Sequence, residues 1–189
     1  MVSATKMRIG IGYDIHKFNG RGPLKLGGVS IPSRYGLKGH SDADVLLHAI
    51  ADALFGALGE PDLGEQFPSR DPRYRHTDSK VFVRAALAKA RKRGFSVGNL
   101  DTTVIADQPK LTAHKAKIRK SIGHLLSVPI SAVSIKAKTT EGFEPKARGI
   151  AAQAVVLLKR SRRKAQARPG NSKRRAGGAR GRALKKGRR

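Results

Sequence analysis

Residues 7–16, Met7-Arg8-Ile9-Gly10-Ile11-Gly12-Tyr13-Asp14-Ile15-His16, alternate between large apolar side chains and Gly, Asp or His from Ile9 onward. A period of two is the signature of a β-strand, with Ile9, Ile11, Tyr13 and Ile15 on one face and Gly10, Gly12, Asp14 and His16 on the other. Asp14 and His16 therefore point the same way, and the small glycines are expected to leave room beside them. A second cluster, His40-Ser41-Asp42-Ala43-Asp44-Val45-Leu46-Leu47-His48, adds oxygen and imidazole donors where a helix begins. Asp14, His16 and His48 make a two-imidazole, one-carboxylate set of the kind zinc takes, with a fourth position for water or a substrate oxygen. The same three also read as a strand-end turn residue, an exposed histidine and a satisfied helical histidine, because the pattern alone does not bring strand and helix together.

Beyond the strand, Leu24 to Leu26 and Val29 to Ile31 flank Gly27-Gly28 as a short hairpin. Ser41 followed three residues later by Asp44 is a capping-box signature and predicts a helix over about 42–58, stopped by Gly59. On that helix Asp44, His48 and Asp52 share a polar face, and Leu46, Ile50, Ala53 and Ala57 an apolar one. Asp44 lies one turn before His48, where it either orients the ring or only serves the helix dipole. His40 and Ser41 sit where free backbone N–H groups favour anions, so they are candidates for a phosphate contact, with Ser41 as a plain cap the alternative.

A loop containing Pro61, Pro68 and Pro72 leads to a second helix over 79–93, capped by Thr77 or Asp78 and ended by Gly94. Residues 100–106 read as a strand, and 112–126 as a third helix closed by Pro129. Residues 133–139 alternate as another strand, and the short apolar run 150–158 suits a strand buried on both faces. The sum is an α/β (α+β) sandwich: a mixed four-stranded sheet covered on one side by three helices, plus the small hairpin.

Charge divides the chain. Of 189 residues, 40 are Lys or Arg and 13 are Asp or Glu, giving a net charge of +27, and fifteen of the basic residues but none of the acidic ones fall in 159–189. That stretch has one apolar residue larger than Ala, Leu184, which is too little to offset the entropy of ordering. The expected organisation is a folded domain over 1–158 and a disordered basic tail over 159–189. Such a tail attracts polyanions in a salt-dependent, nonspecific way, since it carries no aromatic residue for base stacking. A nucleic-acid-associated protein acting through this tail is the competing functional reading. The absence of Cys excludes disulfides and thiolate metal sites. With no stretch approaching the roughly 18 apolar residues of a membrane span and no signal-like N-terminus, the expectation is a soluble, cytoplasmic protein.

Six segments, in order, resemble the 2-C-methyl-D-erythritol 2,4-cyclodiphosphate synthase family over about residues 7–158, with Met7 nearer the family's start than Met1. They are Arg8-Ile9-Gly10 with Gly12 to His16; Gly39 to Asp44 through His48-Ala49; Asp62-Leu63-Gly64 with Phe67-Pro68; Pro109-Lys110; Lys136-Ala137 with Thr139-Thr140-Glu141; and Gly149 to Ala154. The resemblance implies a homotrimer with active sites between subunits. It also implies a lyase of non-mevalonate isoprenoid precursor synthesis, which closes the ring of 4-diphosphocytidyl-2-C-methyl-D-erythritol 2-phosphate and releases CMP.

It further implies zinc on Asp14, His16 and His48, and a second divalent ion, Mg²⁺ or Mn²⁺, faced by Glu141. His40 and Thr139 would stabilise the transferring phosphoryl group, with Ser41 and Thr140 also at the substrate. Asp62, Leu63, Gly64, Phe67 and the loop to Asp71 would meet the methylerythritol part. Ala106, Pro109, Lys110, Leu111 and Thr112 of a neighbouring subunit would meet the cytidine end. Two features depart from the family. Lys138 stands where a third small hydroxyl residue is usual. The segment 142–148 is about two residues shorter than the family's loop, so neither Lys146 nor Arg148 is assigned the phosphate-binding role of its Arg. A metal-dependent phosphatase or pyrophosphatase using the same ligands is the remaining enzymatic alternative.

Overall fold

The computed structural model describes residues 7–19, 22–143 and 148–161. The strand read at 7–16 is β1 (Met7–Lys17). It is followed by β2 (Leu24–Leu26), β3 (Val29–Ile31), α1 (Val45–Leu58), the single-turn α2 (Leu63–Gln66) and α3 (Lys80–Lys92). Then come β4 (Phe95–Ile105), α4 (Lys115–Leu126), β5 (Val133–Lys138) and β6 (Gly149–Arg160). The main sheet has the order β1-β6-β4-β5, antiparallel except for the parallel β4–β5 pair, and β2–β3 form the separate hairpin. The mixed sheet with its helices is as the sequence predicts.

Helix α1 is the centre of the core, buried at every position except Asp52 and Gly56. It lies directly on β1. A Cβ at Gly10 would stand 1.9 Å from the Ala53 carbonyl oxygen, and one at Gly12 would stand 2.0 Å from that of Ala49. The glycines therefore do not make room beside the ligands, as expected from sequence; the helix backbone fills that space. The contact has a direct consequence for chemistry, because it brings Asp14 and His16 on the strand against His48 on the helix.

The opposite face of β1 is the surprise. Met7, Ile9, Ile11, Tyr13 and Ile15 are each more than half exposed, a continuous apolar row along an edge strand. Strand β6 likewise is not buried on both faces: Val155, paired with Ile11, is exposed. The periodicity of β1 located the two faces correctly, but the face that packs on the core is the one with glycines.

Several boundaries shift for local reasons. Helix α1 starts at Val45 rather than near Asp42, because the N-cap is Asp44 and not Ser41. The Asp44 carboxylate accepts from Leu47 N at 3.0 Å and also from Gly27 N at 2.9 Å and Gly28 N at 2.6 Å. It thus ties the hairpin turn, whose two glycines both have positive φ, to the helix start. Helix α4 ends on Ser127 in a left-handed conformation, two residues before the predicted stop at Pro129. Strand β4 begins at Phe95 and β6 runs to Arg160, so Lys159 and Arg160 belong to the sheet, where they pair with Met7 and Phe95. The rest of the stretch read as tail, and Lys146 of the 142–148 loop, lie outside the described residues.

Candidate metal centre and substrate pocket

Register places Asp14 and His16 at the C-terminal end of β1 on the helix side, and the first turn of α1 brings His48 to them. Asp14 Oδ2 lies 2.9 Å from His48 Nδ1 and 2.9 Å from His16 Nε2, and the two ring nitrogens are 3.1 Å apart. Four ligands at about 2.0–2.1 Å in a tetrahedron stand about 3.3 Å from one another, so this triangle of donors suits a zinc-sized cation with one position open. Among the described residues these three form the one group of His and carboxylate donors close enough to share an ion. His16 Nδ1 is 2.7 Å from the Lys38 carbonyl oxygen. A carbonyl can only accept, so Nδ1 carries the proton and Nε2 keeps its lone pair for a metal.

The charge state agrees with this geometry. Burial on its own would raise the Asp14 carboxyl, but its bonds to His16 and His48 prevail and hold it well below the usual carboxylate range. For His16, burial works against the proton, and the bond to Asp14 and its charge overcome that and raise the imidazole above its ordinary value. An ionised Asp14 between two imidazoles makes this point of the cavity favourable to positive charge.

Around the triad lies a cavity of about 620 Å³ whose rim includes His40, Ser41, Asp62, Leu63, Gly64 and Phe67. Asp52 on α1 accepts from Leu63 N at 2.7 Å and thereby anchors α2, while Asp62 caps α2 through Glu65 N at 2.9 Å. Phe67 is held by rings from two other elements, with centroids 4.9 Å from Phe82 and 5.2 Å from Tyr74. Asp71 is not on this wall. Its carboxylate is taken by Arg73, at 2.6 Å, and by the cap of the short turn at Pro72–Tyr74. His40 and Ser41 do line the cavity, but four or five residues before the helix start. Their placement comes from the loop, with the His40 carbonyl accepting from His76 N at 2.8 Å, and not from an exposed helix N-terminus.

Sequence reading missed Ser79, and of the two readings left open for Asp44 the structure favours the one at the helix start. The ring of His48 is not oriented by Asp44, whose oxygens are spent on backbone. Its Nε2 instead faces Ser79 Oγ at 2.9 Å and Ser41 Oγ at 3.1 Å. Ser79 was read only as the start of α3; the one available hint was that a serine, a strong capping residue, stands there beside Asp78.

The remaining site candidates form a second cluster. Thr139, Thr140 and Glu141 follow β5, and Ala106 to Thr112 follow β4; among the described residues none of these lines the cavity. Asp107 joins the two loops, its oxygens accepting from Thr140 N at 2.8 Å and Thr140 Oγ1 at 2.9 Å, while Thr139 Oγ1 donates to Glu141 at 2.5 Å. Pro109, Lys110 and Thr112 lie on this exposed loop, but the Ala106 and Leu111 side chains are buried in the core and leave only backbone for a ligand. The register puts both clusters at one end of the sheet, His16 opposite Ile150 and Ile105 opposite Ala151. At strand spacings of about 4.8 Å, one chain keeps the loop after β5 three spacings, about 14 Å, and the loop after β4 two spacings, about 10 Å, from β1.

The sequence that builds this triad and its cavity matches the model of the YgbB family over residues 7–159. The chain belongs to that family. Relatives within it include the 2-C-methyl-D-erythritol 2,4-cyclodiphosphate synthase of Proteus mirabilis, 47% identical over 154 residues covering 80% of this chain and 96% of the relative. The synthase of the same name from Geotalea uraniireducens is 49% identical over 156 residues, covering 82% and 99%. A solved structure of such a synthase in a CDP-bound form superposes with a TM-score of 0.76 at 38% identity, covering 80% of this chain and all of the other. A CDP complex from Plasmodium falciparum gives 0.73 at 35% identity, covering 85% of this chain and all of the other. The YgbB match takes in nearly all the described residues, so the competing reading of the whole protein as a nucleic-acid-associated one finds no support in these likenesses.

Proposed function

We propose that the chain is a 2-C-methyl-D-erythritol 2,4-cyclodiphosphate synthase. The 2-phosphate of 4-diphosphocytidyl-2-C-methyl-D-erythritol 2-phosphate attacks the β-phosphorus of the same molecule. One P–O bond forms, the P–O bond to the α-phosphate breaks, and CMP leaves. The observation that carries this reading is the convergence of Asp14, His16 and His48 on one point of the cavity. An intramolecular phosphoryl transfer needs alignment and charge neutralisation more than a protein nucleophile.

Asp14, His16 and His48 would hold Zn²⁺, and Glu141 the second divalent ion, Mg²⁺ or Mn²⁺. Bound there, the cations would supply Lewis-acid polarisation of the diphosphate oxygens. His40 and Ser41 would contact phosphate, Asp62, Leu63, Gly64 and Phe67 the methylerythritol part, and the second cluster the cytidine and its phosphates. Thr139 would stabilise charge developing on the transferring group.

A substrate that must touch both clusters requires the second one to come from another copy. The exposed apolar row of β1 supports this, since a face of that size on an edge strand calls for a partner. The assembly we propose is a homotrimer with shared sites. The basic segment from 162 onward would add nonspecific affinity for polyanions without a part in the reaction.

The test is product analysis with zinc-loaded protein. Stoichiometric CMP and a cyclic diphosphate are expected, and His48→Ala is expected to lose zinc and activity while keeping its helix content. Release of inorganic phosphate or an opened product would instead favour the phosphatase reading, and full activity of zinc-free His48→Ala would refute both.

A further inference from the structure

Ser79 opens α3 yet makes no capping bond to its own helix. A buried hydroxyl that does not serve its own backbone is serving something else. Its Oγ lies 2.5 Å from Asp42 Oδ1 and 2.9 Å from His48 Nε2. The other Asp42 oxygen accepts from Lys25 Nζ at 3.1 Å, so the carboxylate is itself fixed from the hairpin. A carboxylate can only accept, which commits the single Ser79 hydroxyl proton to Asp42 and turns the oxygen's lone pair toward His48. The imidazole must then donate from Nε2, and the lone pair is left on Nδ1, the atom that faces Asp14 and His16.

We propose that Ser79, held by Asp42 and Lys25, is a positioning residue that fixes the His48 tautomer in its metal-ligating form. It does for His48 what the Lys38 carbonyl does for His16. Three elements distant in sequence meet for this purpose: the hairpin through Lys25, the loop before α1 through Asp42, and the start of α3 through Ser79. Ser41 Oγ stands slightly farther from the same nitrogen, at 3.1 Å, but its own hydrogen is not committed to a carboxylate. It can therefore donate to or accept from the ring, and does not select a tautomer.

This inference rests on the proposed role of Asp14, His16 and His48 as metal ligands, and the experiment separates the two. Zinc affinity is measured by competition with a chelating dye for the wild type, Ser79→Ala, Ser79→Thr and Ser41→Ala. The Nε2–H of His48 is followed in ¹⁵N-labelled, zinc-loaded protein by its exchange with solvent. Loss of such a partner to a ligating histidine typically weakens metal binding about 10–100-fold. Ser79→Ala is expected to show that loss and faster exchange of the His48 proton, Ser79→Thr to restore both, and Ser41→Ala to leave affinity within about threefold.

Wild type and Ser79→Ala binding zinc equally, with the same protected proton, would overturn the proposal while leaving the metal site standing. A wild type that binds no zinc would overturn the metal site first and this with it. Should Ser79→Ala fail to fold, the wild-type spectrum still decides, because a His48 ring protonated at Nδ1 in the zinc-loaded protein contradicts the relay outright.

Discussion

Gly12 is where fold and chemistry are most tightly joined, and replacing it by alanine should damage both. The added methyl carbon would lie 2.0 Å from the Ala49 carbonyl oxygen and 2.6 Å from Ala53 N, whereas ordinary contact begins near 3.4 Å. Both obstacles are helix backbone, which no rotamer change can move aside. Relief requires α1 to retreat from β1 by about 1.4 Å, and overpacking of this kind typically costs 1–3 kcal/mol; with backbone on both sides we expect about 3. For a domain of this size that is a fall in Tm of about 6–12 °C. His48 adjoins Ala49 and Asp14 is two residues from Gly12, so the same retreat would open the 2.9 Å Asp14–His48 separation. A misplacement of about 1 Å in a positioned site can cost on the order of 100-fold in rate. Gly56→Ala is the control, since its Cβ would meet only the Ile11 carbonyl oxygen at 3.6 Å. It should be neutral or stabilise by up to about 1 kcal/mol through helix propensity. Thermal unfolding of the metal-free proteins at one fixed concentration, with turnover of the zinc-loaded ones, measures both effects. A Gly12→Ala melting point within 2 °C of wild type, or an equal loss in Gly56→Ala, would refute the close-packing argument.

Two further outcomes follow from the structure. Ile11→Lys places a charge in the exposed apolar row of β1 and should convert the proposed trimer into monomers with loss of turnover; light scattering that gives a trimer mass for the variant would count against that face as the interface. Burial raises the Asp42 carboxyl, but its bonds to Ser79 and Lys25 lower it further, so its folded value lies below the ordinary 3.8. The stability it contributes is present above 3.8 and lost as pH falls through the lower folded value. Asp42→Asn should therefore be less stable than wild type by about 1–2 kcal/mol at neutral pH, with the gap closing in strong acid; a gap independent of pH would contradict the assignment.

What the sequence made legible was what local pattern controls. The period of β1 paired Asp14 with His16, the Gly27-Gly28 turn marked the hairpin, and Gly59 and Gly94 ended their helices as expected. The misreadings at Asp44, Ser79 and β1 concern groups whose partner is far away in the chain. Asp44 looked like one member of a polar helix face, yet it is wholly buried because the hairpin turn, sixteen and seventeen residues earlier, donates two N–H groups to it. Ser79 looked like a helix start, and its meaning appears only when α3 is laid beside α1. The glycines of β1 were expected to leave room beside Asp14 and His16, while they are what the core requires, since close approach of a helix is a property of the pair and not of the strand.

The same distinction explains why motifs could name candidate residues but not assemble them. Asp14, His16 and His48 converge within one chain because β1 and α1 are in direct contact, so their geometry follows from the fold. Thr139, Thr140 and Glu141 follow β5, three strands from β1, and Lys110 follows β4, two strands away, so the sheet holds them apart from the proposed metal ligands. Their chemistry is complementary to the cavity all the same, with hydroxyl, carboxylate and ammonium groups on two adjoining loops that Asp107 ties together through Thr140. Two half-sites at one end of a sheet, and an unpaired apolar face on the strand that carries the first, have a common solution. Packing the Ile9, Ile11 and Ile15 face of β1 against a second copy buries the row and can bring that copy's loops to the open side of the cavity. On the proposed function, such an oligomer would be a requirement of the reaction, because a monomer would hold the metal and lack the groups that align the diphosphate.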